Sequence, residues 1–140
     1  MDIRGNAKLI EVFGCWPSFH DAEVLRLHFD RASSGADYGP TVECTIHVWE
    51  MTNEVDEKGY FVLKNHVLVT FRFIEVSESE FNGFNQQNAL WALEIEDISS
   101  HQLERIKYAV QFPSSYGLAG SLKCFDIEVT QVAKCGPEGK

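Results

Sequence analysis

The chain has 140 residues, of which 44% are hydrophobic and 12% aromatic, a composition that rules out a disordered polymer and suffices for one domain with a filled core. Twelve Lys and Arg against 21 Asp and Glu leave a formal charge of -9, which counts against nucleic acid or anionic membrane as the main partner and favours a basic protein or a cation. Cys15, Cys44, Cys124 and Cys135 form no C-x-x-C pair and no apolar signal core follows Met1, so a cytoplasmic chain with free thiols is expected. The apolar stretch Val67 to Ile74 is broken by Thr70 and Arg72 and is far shorter than the roughly 18 residues of a membrane-spanning helix.

In chain order, Asn6 to Phe13 carries Leu9, Ile10, Val12 and Phe13 and predicts a short helix stopped at Gly14. A connector, Cys15-Trp16-Pro17-Ser18-Phe19-His20-Asp21, leads into Glu23 to Asp30, where Leu25, Leu27 and Phe29 alternate with Arg26, His28 and Asp30 as in a half-buried strand. Ser33 to Pro40 is turn chemistry, and Val42, Cys44, Ile46 and Val48 then alternate with Glu43, Thr45 and His47 in a second strand. Asn53 to Gly59 is expected to be an acidic loop before a long third strand ending in Val67, Val69, Phe71 and Phe73. Ser77 to Asn88 reads as a polar excursion from the sheet.

Leu90 to Ile98 alternates as a fourth strand, and Ser99-Ser100-His101-Gln102 has the form of a capping box on a single helical turn. Ile106 to Phe112 is the fifth strand, Pro113 to Gly120 a loop, and Phe125 to Thr130 the sixth strand. The expected fold is α+β: one N-terminal helix packed on a mostly antiparallel sheet of about six strands, with Trp16 and Phe19 sealing helix to sheet. Residues 1–135 are expected to form a single domain and 136–140 a flexible tail.

Three groups of side chains bear on function. His20-Asp21-Ala22-Glu23 offers a histidine and two carboxylates, read either as backbone caps where connector meets sheet or as a ligand-binding or catalytic cluster. Alternation also places His28, His47 and His66 on strand faces with Glu43, Asp30 and Arg72, where a suitable register brings two histidines together. Solvated surface histidines are the simpler reading, and no metal or cofactor is predicted. The third group is acidic: Glu50, Glu54, Asp56 and Glu57 in one loop, Glu75, Glu78 and Glu80 in another, and Glu94, Glu96 and Asp97 about one strand. These carboxylates either solubilise the surface or form a docking face for a basic partner, with Trp49, Phe81 and Phe84 as aromatic anchors. Ser114-Ser115 lacks the setting of a nucleophile elbow, and Cys44 and Cys124 read as small core residues.

The run Phe13-Gly14-Cys15-Trp16-Pro17-Ser18-Phe19-His20-Asp21-Ala22-Glu23-Val24 resembles the start of the immunity protein 50 family, bacterial proteins of polymorphic toxin systems. Gly120 to Val129, after Val110 to Gly117, is similar to that family's closing strand pair. The motif residues are Trp16, Pro17, Ser18, Phe19, His20, Asp21 and Glu23. The resemblance implies an α+β binding protein without chemistry of its own, which neutralises a cognate toxin domain by direct binding. Partner contacts are then expected at Trp49, Glu50, Glu54, Asp56, Glu57, Glu78, Glu80, Phe81 and Phe84, against a basic toxin surface. Two alternatives stand beside it: a small metal- or ligand-binding enzyme built on His20, Asp21 and Glu23, and a homo-oligomer that uses a sheet edge.

Overall fold

The computed structural model describes residues 3–32 and 38–140. Most of the expected turn between Ser33 and Pro40 lies outside the described residues. The first element, α1 (Ala7–Phe13), ends as its sequence predicts: Gly14 adopts φ 78° and its N–H returns to the Ile10 carbonyl at 2.7 Å. Seven residues hold a helix only through packing. Leu9 is fully buried, and Val12 and Phe13, three and four positions on, lie against the same core.

Among the described residues ten strands follow, in two antiparallel sheets, instead of about six in one. They are β1 (Glu23–Asp30), β2 (Thr41–Val55), β3 (Phe61–Ile74), β4 (Ser77–Asn82), β5 (Ala89–Leu90), β6 (Glu94–Asp97), β7 (Tyr108–Phe112), β8 (Ser114–Tyr116), β9 (Ala119–Cys124) and β10 (Asp126–Lys134). The larger sheet has the order β10-β3-β2-β1-β5-β8 and the smaller β4-β9-β7-β6. Helix α1 lies on β10 and β3, so the smaller sheet supplies much of the cover that sequence reading assigned to the helix alone.

The differences have local causes. The run from Leu90 to Ile98 alternates throughout, yet it starts in the larger sheet and finishes in the smaller, because Trp91 turns off to bond the Pro113 carbonyl. Ser77–Asn82 is polar because it is an edge strand, paired only with β9. Ser114–Tyr116, read as loop, pairs with β5. The turn Ser99–His101 exists, but its N-cap position is Ile98, no Ser-to-Gln box forms, and Asp97 just before it accepts the Ser99 N–H and Oγ–H at 2.9 and 2.6 Å. In β1 the register slips between Val24 and Arg26. Val24 and Leu27 therefore pack into the core, whereas Leu25 faces away, towards Gly139.

The two sheets meet through an aromatic chain. Trp16 and Phe19 pack on Phe71, Phe71 stacks on Phe73, and Phe73 meets Phe112 of the smaller sheet edge-on at 6.2 Å. Phe81 then links Phe112 back to Phe29 on β1. The segment 136–140 turns on itself, with Gly136 N–H bonded to the Lys140 carbonyl, and Gly139 is buried against His47.

Candidate functional site

The connector splits into an inward and an outward half. Phe19 and Asp21 both take left-handed backbone, φ 62° and 67°, which turns consecutive side chains to opposite sides. Phe19 is 2% exposed in the core and Trp16 is partly buried beside it at 5.8 Å. His20 and Asp21 face out, each about half-exposed, with Nδ1 and Oδ2 3.2 Å apart. The His20 ring meets exposed Trp91 edge-on at 4.8 Å, a neighbour seventy-one positions on that no local pattern signals. Ser18 Oγ accepts the His20 N–H, and the Asp21 N–H bonds the Leu90 carbonyl, so the backbone-capping role expected here falls to Ser18 and the main chain. Glu23 stands opposite His47 in the β1–β2 ladder. Among the described residues no three His, Cys, Asp or Glu side chains gather as a metal ion requires.

An open depression of about 210 Å³ runs from this connector to β2. Phe13, Cys15, Pro17, Ser18 and His20 line one side, and Val48, Trp49, Glu50 and Met51 the other. Two sets of residues that lie thirty positions apart in the chain, the motif and the first of the expected partner contacts, thus share one surface.

Beyond it, β2 and β3 run on as a free arm. The flanking strands stop at Glu23↔His47 on one side and Lys134↔Val67 on the other, while β2 and β3 continue through Glu50↔Lys64, Met51↔Leu63 and Val55↔Phe61. Asn53 to Gly59 is therefore the end of a hairpin and not a loop. Asp56 Oδ1 accepts the N–H groups of Lys58 and Tyr60 at 2.9 and 3.0 Å, and Gly59 at φ 88° closes the turn. The Asp56 carboxylate is thus occupied in shaping the tip, and Glu54 and Glu57 are the carboxylates turned to solvent. Met51, Val55, Tyr60 and Phe61 are each more than half exposed along the arm. Sequence reading overlooked these four, although Tyr60-Phe61-Val62-Leu63 beside an Asp-x-x-Gly turn is a hairpin signal.

The family model described as Immunity protein 50 matches residues 5–134, from the turn before α1 to the end of β10. The chain belongs to the immunity protein 50 family. That membership supports a role in toxin immunity. Comparison with curated proteins finds no match, and comparison with solved structures finds none.

In this immunity protein 50 member the second acidic group is remote from the arm. Glu78 pairs with Lys123 at 2.8 Å and lines a depression with Asp30 and Thr41, at the opposite end of the β1–β2 ladder from His47. Phe81 is packed between Phe29 and Phe112, while Phe84 is half-exposed at the rim of an apolar pocket. Glu75 is engaged by Arg105 at 2.9 Å, and the Ser99 hydrogen bonds hold the Asp97 carboxyl below the usual carboxylate range. Glu50, Glu54 and Glu57 therefore stand apart from Glu78 and Glu80, and the expected docking residues do not form one continuous face.

Register does bring two histidines together: His47 Nε2 and His66 Nδ1 are 3.0 Å apart, flanked by Trp49. His28 is elsewhere, opposite Glu43. His47 is buried, and burial, with His66 close by, lowers its pKa. The thiols are free. Burial raises Cys44, and it pushes Cys124 up to about 12 with a further contribution from Asp126, so both are inert core groups as their strand positions imply. No helix among the described residues is long and apolar enough to cross a membrane.

Proposed function

We propose that this protein neutralises a cognate toxin domain by binding it directly, with the β2–β3 arm as the principal contact. The observation that carries this reading is the group of exposed Met51, Val55, Tyr60 and Phe61 on the outer part of a hairpin, where no strand among the described residues flanks it. A soluble fold rarely leaves two aromatics and two aliphatics exposed on one short element without a partner for them. Aromatic side chains at the centre with Glu54 and Glu57 beside them have the make-up of a protein-binding hot spot with a charged rim. The charge of -9 favours a basic toxin surface and a fast, salt-sensitive encounter. The depression between His20 and Trp49 continues this contact at the base of the arm. On this reading the protein acts by occupancy, and His20 and Asp21 serve as contact groups.

The test is co-expression with the toxin domain encoded beside this gene, scored by growth and by capture of the pair. Wild type is expected to rescue growth and hold the toxin. Tyr60→Ser with Phe61→Ser is expected to weaken binding at least a hundredfold, on the order of two hot-spot losses, with β-sheet content unchanged. Glu54→Lys with Glu57→Lys is expected to slow association about tenfold or more at low salt and little at high salt. Full protection and unchanged affinity in both variants would sink the arm as the contact.

A further inference from the structure

From Arg26 to Asp30, β1 is bonded on one side only. Strand β2 accompanies it to Asp30↔Thr41, whereas β5 meets it at Glu23↔Ala89 and then turns away. Among the described residues no strand pairs with the outer edge of this stretch. The main-chain groups on that edge follow from the bulge. Val24, its side chain in the core, turns its N–H and carbonyl to the outer edge, where they bond Asn88 at 3.0 and 3.3 Å. The register slip between Val24 and Arg26 shifts the alternation by one residue, so Leu27 and Phe29 next present their N–H and C=O outward.

The side chains along the same stretch divide cleanly. Leu27 and Phe29 border an apolar pocket of about 270 Å³ shared with Phe81, Phe84 and Leu118, and Phe29 is 54% exposed. Arg26, His28 and Asp30 are exposed on the other face, where Arg26 touches Thr45 Oγ1 at 3.3 Å and His28 stands opposite Glu43. An unpaired edge with an apolar pocket beside it is a site for strand addition.

We propose that the occupant is a second copy of this chain, paired antiparallel through β1 about a two-fold axis at His28. That register is self-complementary. Leu27 exchanges both main-chain bonds with Phe29 of the second copy, and the symmetry repeats the exchange. Arg26 comes opposite Asp30 twice, opposite charges directly across a strand pair. The second copy's Phe29 lies beside Leu27 on the face where the pocket opens, and covers it. An isologous contact of this kind closes at two copies and leaves the β2–β3 arms free, so it is independent of toxin binding.

Light scattering on the purified chain is expected to give twice the 15.9 kDa chain mass at high concentration. Arg26→Asp is expected to weaken the dimer at least tenfold, and so is Asp30→Arg. The double variant is expected to restore it, because the swapped charges again face each other. His28→Cys, in a Cys15→Ser background, supplies a second measurement. A non-hydrogen-bonded pair on the axis holds its Cα atoms about 4.5 Å apart, within disulfide reach, so oxidation is expected to give a covalent dimer. Glu43→Cys, one strand removed from the axis, is expected to give none. A monomer at every concentration, failure of the double variant to recover, or equal cross-linking at positions 28 and 43 would each overturn the proposal.

Discussion

Phe19 and His20 are neighbours in sequence and opposites in environment, and substitution is expected to separate them. Phe19 is nearly inaccessible among Trp16 and Phe71, so Phe19→Ala is expected to cost about 3–5 kcal/mol in urea unfolding. His20→Ala removes a half-exposed ring and is expected to stay within about 0.5 kcal/mol of wild type. His47 predicts a pH dependence. Its folded pKa lies below the ordinary 6.5, so below that pH the unfolded chain takes up a proton that the buried ring resists. Stability is present in full above about 6.5 and falls as the pH drops from there towards the folded value. Unfolding midpoints measured across that window are expected to decline in wild type and to decline less in His47→Gln. The core character of Trp16 and Phe19 was legible in the sequence. The left-handed backbone of Phe19 and Asp21 was not, because the connector is anchored by a bond from the Asp21 N–H to Leu90, far away in the chain.

At the scale of elements, the sequence was readable wherever a strand buries one face and shows the other. Strand β1 begins and ends where alternation places it, and so does the helix with its Gly14 stop. Legibility failed for β4 and β8, which expose most of their side chains and so carry no apolar row, and for the stretch from Leu90 to Ile98, which alternates without a break while changing sheets. The arm was hidden for a related reason. Acidic and glycine residues between apolar runs read as a loop, whereas Asp56 uses its carboxylate to fold them into a hairpin tip. Asp56→Ala removes two local hydrogen bonds from a hairpin tip that no strand among the described residues flanks, and each is worth about 1 kcal/mol. Amide exchange at Lys58 and Tyr60 is expected to speed up several-fold while the global unfolding midpoint barely moves, since the tip opens separately from the core. A global loss of stability on this substitution would mean that the arm is packed on the body of the protein.

At the scale of the whole molecule, the two sheets share more than aromatic contacts. Asn88 is 3% exposed at the point where β1, β5 and the start of β9 converge. Its Oδ1 accepts the N–H groups of Asn85 and Leu118 at 2.9 and 3.1 Å, and its Nδ2 donates to the carbonyls of Asn85 and Val24 at 2.8 and 3.3 Å. One amide thereby completes four main-chain groups from three separate segments, including the chain just before it enters β9. Gly117 approaches the same place so closely that a Cβ there would collide with the Gln87 carbonyl. Asn88→Leu keeps the volume roughly but strands these four groups. Two of them, the Val24 carbonyl and the Leu118 N–H, lie in buried bonds, and each such group left unpaired costs about 1–3 kcal/mol, so a loss of about 2 kcal/mol or more is expected. Asn88→Asp retains the acceptor for Asn85 and Leu118 and loses the donor, and is expected to fall between the two. Because Asn88 ties the larger sheet to the segment that enters the smaller one, a cooperative fold must lose both sheets together. Unfolding of Asn88→Leu followed by the fluorescence of Trp16, Trp49 and Trp91 together and by far-ultraviolet circular dichroism is expected to show coincident transitions, both shifted to lower denaturant. Two separated transitions would mean that the smaller sheet melts alone, and that the aromatic chain through Phe73 and Phe112 does not by itself couple them.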